Sequence, residues 1–125
     1  MRLPGCLTAL AVASLLGACQ ARSETLPEEM LGHWTTDAHR YEDRFFELDT
    51  GHLTFGTGGG SSYRNPILRI EVTQEDGRDL YHLEHQGAEG QSYTFSFYYQ
   101  PANSGIITLK NQTEIHWTKE RRPRP

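Results

Sequence analysis

Residues 91–100 read Gln-Ser-Tyr-Thr-Phe-Ser-Phe-Tyr-Tyr-Gln, and their spacing decides the fold. Tyr93, Phe95, Phe97 and Tyr99 fall on alternate positions, with Ser92, Thr94, Ser96 and Tyr98 between them. An extended chain points successive side chains to opposite faces, whereas a helix gathers every third or fourth residue on one side. This spacing therefore predicts a strand with one aromatic face and one hydroxyl-bearing face.

The same alternation runs outward in both directions. Toward the N-terminus, Tyr81, Leu83 and His85 alternate with Leu80, His82 and Glu84, and Leu68, Ile70 and Val72 with Arg69, Glu71 and Thr73. Leu53 and Phe55 stand opposite His52 and Thr54, and Phe46 and Leu48 opposite Phe45 and Glu47. Toward the C-terminus Ile107 with Leu109, then Ile115 with Trp117, continue the series, and Gly32 to Thr36 opens it. Between these runs stand Asp49-Thr50-Gly51, Glu75-Asp76-Gly77-Arg78, Gln86-Gly87-Ala88-Glu89-Gly90 and Pro101-Ala102-Asn103-Ser104-Gly105, all rich in turn formers. Links this short make consecutive strands antiparallel neighbours, because a parallel crossover needs about a dozen residues. The expectation is an all-β domain, an antiparallel up-and-down meander of about eight strands. Only residues 25–31 carry helical-turn signals, with Thr25 as cap and Pro27 near the first position. A chain of 125 residues that is 36% hydrophobic holds one such domain and not two.

Leu31-Gly32-His33-Trp34, just before the first strand, resembles the Gly-x-Trp signature that opens lipocalin-like barrels. The resemblance implies a small closed barrel in which Trp34 plugs one end, with Trp117 and Lys119 as the closing aromatic and basic pair. Periodicity alone leaves an alternative, an open curved sheet or half-barrel whose concave face is covered by residues 25–31.

The N-terminal segment has a single charge, Arg2, followed by an apolar run from Leu3 to Ala18, the pattern of a secretory signal. The run is too short for a bilayer-spanning helix, which needs about 20 residues. It ends in Leu16-Gly17-Ala18-Cys19, which resembles the bacterial lipobox. That resemblance implies that Cys19 is lipidated, that residues 1–18 are removed as a lipoprotein signal peptide, and that palmitate-type acyl chains hold the mature chain on a membrane. Gln20, where Asp would retain the protein at the inner membrane, implies the outer membrane, facing the periplasm. Since Cys6 leaves with the leader, the mature chain keeps no free thiol. The expected organisation is a signal peptide over 1–18, lipidated Cys19 and tether over 19–27, the barrel over 28–118 and a basic, Pro-containing tail over 119–125.

Removing Arg2 with the leader leaves 11 basic against 16 acidic residues. Lys119, Arg121, Arg122 and Arg124 against Glu120 give the tail +3 and leave residues 19–118 at −8, a body that repels nucleic acid. The tail reads as a solvated arm, or as a contact for anionic lipid. Gly56-Thr57-Gly58-Gly59-Gly60-Ser61-Ser62 lacks the Lys-Ser/Thr ending of a phosphate loop and reads as a mobile loop at a barrel mouth. His82 and His85 face opposite sides of one strand, which excludes them as a chelating pair. His33 and His39 flank Asp37 in an expected loop, with Glu42 and Asp43 close by, but this spacing matches no established zinc pattern. Asp43, Glu47 and Asp49 read as a solvated strand face rather than a carboxylate pair. Neither a nucleophile elbow nor a His-Glu-x-x-His motif is present, so the chain reads as a binding module with no cofactor and not as an enzyme.

Two functional readings follow. In the first, an envelope lipoprotein binds a small apolar or amphipathic molecule in a barrel lined by Trp34, Phe55, Tyr81, Tyr93, Phe95, Phe97 and Tyr99. In the second, the same side chains fill the interior, and the barrel is an interaction or scaffold module recognising an envelope protein. Lipidation has a direct check: Cys19→Ser abolishes processing to the acylated form and releases the domain from the membrane fraction, as read by intact mass and fractionation. Unchanged mass and retention contradict the lipobox reading.

Overall fold

The computed structural model describes residues 22–23 and 25–120, so the lipobox and residues 121–125 lie outside the described part. Nine strands follow one another: β1 (Arg22–Ser23), β2 (Gly32–Thr35), β3 (Phe45–Leu48), β4 (His52–Gly58), β5 (Ser61–Glu75), β6 (Arg78–Gln86), β7 (Ser92–Gln100), β8 (Ile106–Leu109) and β9 (Gln112–Lys119). From β2 to β9 each strand pairs antiparallel with its chain neighbour, and β2 also pairs with β9. The result is a closed eight-stranded up-and-down barrel, not an open sheet. Strand β1, in the stretch expected as tether, adds a short outer pairing of Arg22 with Val72 and Ser23 with Glu71.

The barrel has two unlike ends. At the lower end lie the β3–β4 and β5–β6 turns, the β7–β8 connection with its 3-10 turn over Ala102–Ser104, and a further 3-10 turn over Glu28–Met30. That turn starts from Pro27 without a side-chain cap, so Thr25 does not play the expected part. Trp34 is fully buried there, and its Nε1 donates to the Met30 carbonyl at 2.9 Å. Lys119 stands opposite Trp34 across the closing pair, and its Nζ donates to the carbonyls of Glu29 at 2.7 Å and Leu31 at 3.0 Å. Carbonyls left over by a 3-10 turn are thus satisfied by an ammonium group. Lys119 belongs to β9 and closes the barrel rather than opening the tail.

Above this plug the inward residues interlock. Phe46, Leu48, Leu53, Val72, Leu83, Phe97 and Ile107 are all buried, and the rings of Tyr81 and Phe97 stack at 5.6 Å. The expected inner faces are observed except at Leu68, which is exposed because the register shift between Ile67 and Arg69 turns Ile67 toward the core in its place. On the outer surface Tyr98 is also buried, beneath the Arg78 guanidinium 3.8 Å from its ring centre. Its hydroxyl donates to Glu75, which also receives the Lys110 ammonium, and these contacts hold the Glu75 carboxyl below its usual range.

The glycine run is not the expected loop. Strand β4 continues to Gly58 and β5 begins at Ser61, leaving Gly59 and Gly60 as a two-residue turn with φ of +65° and +85°. Two consecutive positive φ values define the type I′ turn, whose twist matches the flanking strands, and glycine takes them without strain. Gly56 serves a different end. A Cβ there would lie 2.1 Å from the Phe45 ring, which crosses this position on the outer face and stacks on His33 at 4.3 Å. Gly56→Ala is accordingly expected to cost about 1–3 kcal/mol in denaturant unfolding through overpacking. Adding Phe45→Ala recovers most of that loss, whereas strict additivity in the double-mutant cycle contradicts the contact.

Candidate functional site

The upper end of the barrel is open because the strands part there. Strand β5 pairs with β4 from Ser61 to Pro66 and with β6 only from Ile67 downward. Pro66 has no N–H to donate, and the register shifts between Ile67 and Arg69, so the strand changes neighbours at a bulge. Strand β6 ends at Gln86, and the chain returns through a loop in which Gly87 N–H donates to the Gln91 carbonyl at 2.7 Å. Between β5 and this loop lies a cavity of about 540 Å³.

Its walls come from four strands. Phe55 enters from β4, Tyr63, Asn65 and Pro66 from β5, His85 from β6 and Tyr93 from β7, with Gly87 and Ala88 along the loop. Gly87 is required there, since a Cβ on it would lie 2.6 Å from the Tyr93 ring. Tyr63 and Tyr93 are among the most exposed large apolar side chains described, at 59% and 52%. Exposed aromatics at the rim of a concave space are unlike the scattered apolar residues of an ordinary surface. Asn65 is buried and donates to the Leu53 carbonyl at 3.2 Å, which fixes its amide against the wall.

The imidazole of His85 is 7% exposed, with ring centres of Phe55 at 5.6 Å and Tyr93 at 5.9 Å. Burial pushes its pKa below the ordinary value, because the charged form is poorly solvated among aromatic rings. Its Nδ1 is buried without a hydrogen-bond partner. Among the described residues one other buried side-chain atom shares that state, Trp117 Nε1. Trp117 lines an adjoining space of about 290 Å³, which shares Phe55 and Thr57 with the first. Buried polar atoms are normally paired, and both orphans stand beside the open end.

Of the seven side chains expected to line a ligand site, Phe55 and Tyr93 line the larger cavity and Phe95 the adjoining one. Trp34, Phe97 and Tyr81 are buried in the packed lower part, and Tyr99 lies against Trp34 with ring centres 6.4 Å apart. The seven share one face, but β7 descends from the mouth at Ser92 to the floor at Gln100, so height along the strand separates pocket from core. Tyr63, Asn65, Pro66 and His85 were not among the expected lining residues.

The histidines divide as their strand positions require. His82 faces outward, with Nε2 3.0 Å from Thr73 Oγ1 and Nδ1 2.9 Å from Ser96 Oγ, while His85 faces inward. His33 lies in β2 and not in a loop, between Glu47 at 3.6 Å and Glu120 at 3.7 Å, while His39 sits near Glu42 at 3.8 Å. No group of three metal-ligating side chains occurs among the described residues. Nor is any described helix long and apolar enough to cross a membrane.

The lowered pKa of His85 sets a sign for stability. With the folded-state pKa below the unfolded value near 6.5, the unfolded chain binds the proton first as pH falls. Stability is therefore full above about pH 6.5 and declines as pH falls toward the folded-state value. In melting curves between pH 7.5 and 5, His85→Phe is expected to flatten this dependence, and an unchanged slope would sink the assignment.

Compared with protein-family models, with curated proteins and with solved structures, the chain matches none.

Proposed function

We propose that this chain is an envelope lipoprotein, anchored through Cys19, whose barrel binds a small amphipathic molecule at its upper mouth. The observation that carries the reading is the 540 Å³ cavity walled by Phe55, Tyr63, Tyr93 and Pro66, with the unpartnered His85 Nδ1 beside it. Small-ligand sites usually occupy about 300–1,000 Å³, largely apolar with a few polar groups that fix orientation. Aromatic walls favour an apolar body, and a neutral imidazole favours one hydroxyl, amide or protonated acid over a cation. The lower core is packed and serves as scaffold, so the space that supports the first reading is at the mouth, above a filled interior. The absence of a nucleophile motif supports a binding role over an enzymatic one.

The test uses mature chain carrying Cys19→Ser, secreted to a bacterial periplasm and purified without detergent. Native mass spectrometry is expected to give a reproducible added mass that is lost on denaturation. Tyr93→Ala, at a half-exposed position, is expected to weaken uptake of a naphthylamine probe at least tenfold while leaving the melting temperature within a few degrees. A bare mass after incubation with envelope lipid extract, together with no probe uptake, turns the reading to the protein-recognising module.

A further inference from the structure

The cavity at the mouth has few polar groups, and most of them are already engaged. Thr57 Oγ1 donates to the Ser61 carbonyl and Gln86 Nε2 to the Gly90 carbonyl, each at 3.4 Å. Arg64 brings a guanidinium to the lining, but that group is turned to the Asp49 carboxylate at 3.5 Å. Asn65 Nδ2 donates to the carbonyls of Leu53 at 3.2 Å and Tyr63 at 3.4 Å. Carbonyls only accept, so these two fix which way the amide faces and engage both of its hydrogens. What Asn65 has left to offer is the acceptor Oδ1. His85 Nδ1 is the other open group, buried without a partner. The two residues flank the place where the strands part: His85 stands opposite Ile67, and Asn65 is the next inward residue of β5 above Ile67. Diagonal neighbours on paired strands lie about 7–8 Å apart, so one small group can sit between their side chains. Asn65 and His85 are 8% and 7% exposed, so a hydrogen bond to either meets little competing water.

Resting on the reading of this cavity as a ligand site, we propose that its ligand is an uncharged apolar alcohol or phenol whose hydroxyl is held between Asn65 Oδ1 and His85 Nδ1. The hydroxyl donates to the amide oxygen and accepts from the imidazole, which therefore carries its hydrogen on Nδ1. The aromatic walls take the apolar body. A carboxylate or phosphate only accepts, so it would set one oxygen against Asn65 Oδ1, with the lining guanidinium already paired to Asp49. An ammonium would enter a cavity whose lining residues include no carboxylate. A primary amide brings a third hydrogen-bonding group to a place that offers two. A hydroxyl is the smallest group that both donates and accepts, and it leaves neither buried atom unpaired.

The experiment displaces a bound naphthylamine probe from the purified Cys19→Ser protein at pH 7.5, using 2-naphthol, 2-methoxynaphthalene, 2-naphthoate and 2-naphthylmethylammonium. These share one ring system and differ in the polar group. The naphthol is expected to bind about tenfold or more tighter than each of the others, since a site built for a hydroxyl rejects analogues that leave its buried groups unpaired. Asn65→Leu and His85→Phe are each expected to weaken naphthol about tenfold and its methyl ether less than about threefold, so the ether reports that the cavity survives the replacement. Equal binding of naphthol and its ether to the unaltered cavity overturns the hydroxyl contact and leaves the cavity reading intact. Tightest binding by the naphthoate or the ammonium overturns the uncharged class. A naphthol preference that survives both replacements overturns the assignment to Asn65 and His85. If the naphthylamine itself does not bind, the cavity reading falls and this inference with it.

Discussion

The molecule depends on the junction between its first barrel strand and its last. Strands β2 and β9 share only the pairs Trp34 with Lys119 and Thr35 with Thr118, yet these turn a meander into a ring. So short a ladder holds because other contacts surround it. Trp34 is anchored by the Met30 carbonyl, Lys119 by the carbonyls of Glu29 and Leu31, and Thr36 Oγ1 donates to the His116 carbonyl at 2.8 Å. An indole, an ammonium and a hydroxyl together satisfy backbone acceptors that an open edge would leave to water.

Tight closure below permits looseness above. Once the lower ring is fixed, the strands diverge upward, and the pairing of β5 changes partner where Pro66 ends one ladder and the bulge at Ile67 begins the next. The divergence leaves room that Tyr63 and Tyr93 line without filling. The polar atoms of the two ends differ in the same sense. Those of the plug are paired, while His85 Nδ1 and Trp117 Nε1 are not. Satisfied polar groups thus gather at the closed end and the unsatisfied ones toward the open end.

Much of this was legible in the sequence, and the remainder was hidden for physical reasons. Alternation at Tyr93, Phe95, Phe97 and Tyr99 gave the strand and its inner face, and Gly32-x-Trp34 gave the plug. The first half of β5 escaped notice because Ser61, Ser62, Arg64 and Asn65 are polar and Pro66 breaks the pattern; its inward residues are Tyr63 and Asn65, which suit a wet mouth better than a dry core. Three adjacent glycines have the same composition in a long loop as in a hairpin, and only the φ angles distinguish them. The candidate site was half legible for a similar reason. Period-two alternation reports which way a side chain points but not how far along the barrel it stands, and that distance separates Tyr93 from Tyr99.

The order of the strands also shapes how the chain folds. Seven of the eight barrel pairings join sequence neighbours through short links, whereas the eighth joins residue 34 to residue 119. The local hairpins can form on a microsecond scale, but the closing pair draws together the ends of a loop of some 85 residues, an entropic cost of about 4 kcal/mol before any contact is made. A chain emerging N-terminus first carries Trp34 early and meets Lys119 only when nearly all of it is out. Until then its aromatic faces and the β2 edge stand open, so the interval between synthesis and ring closure is when this barrel is most exposed to aggregation.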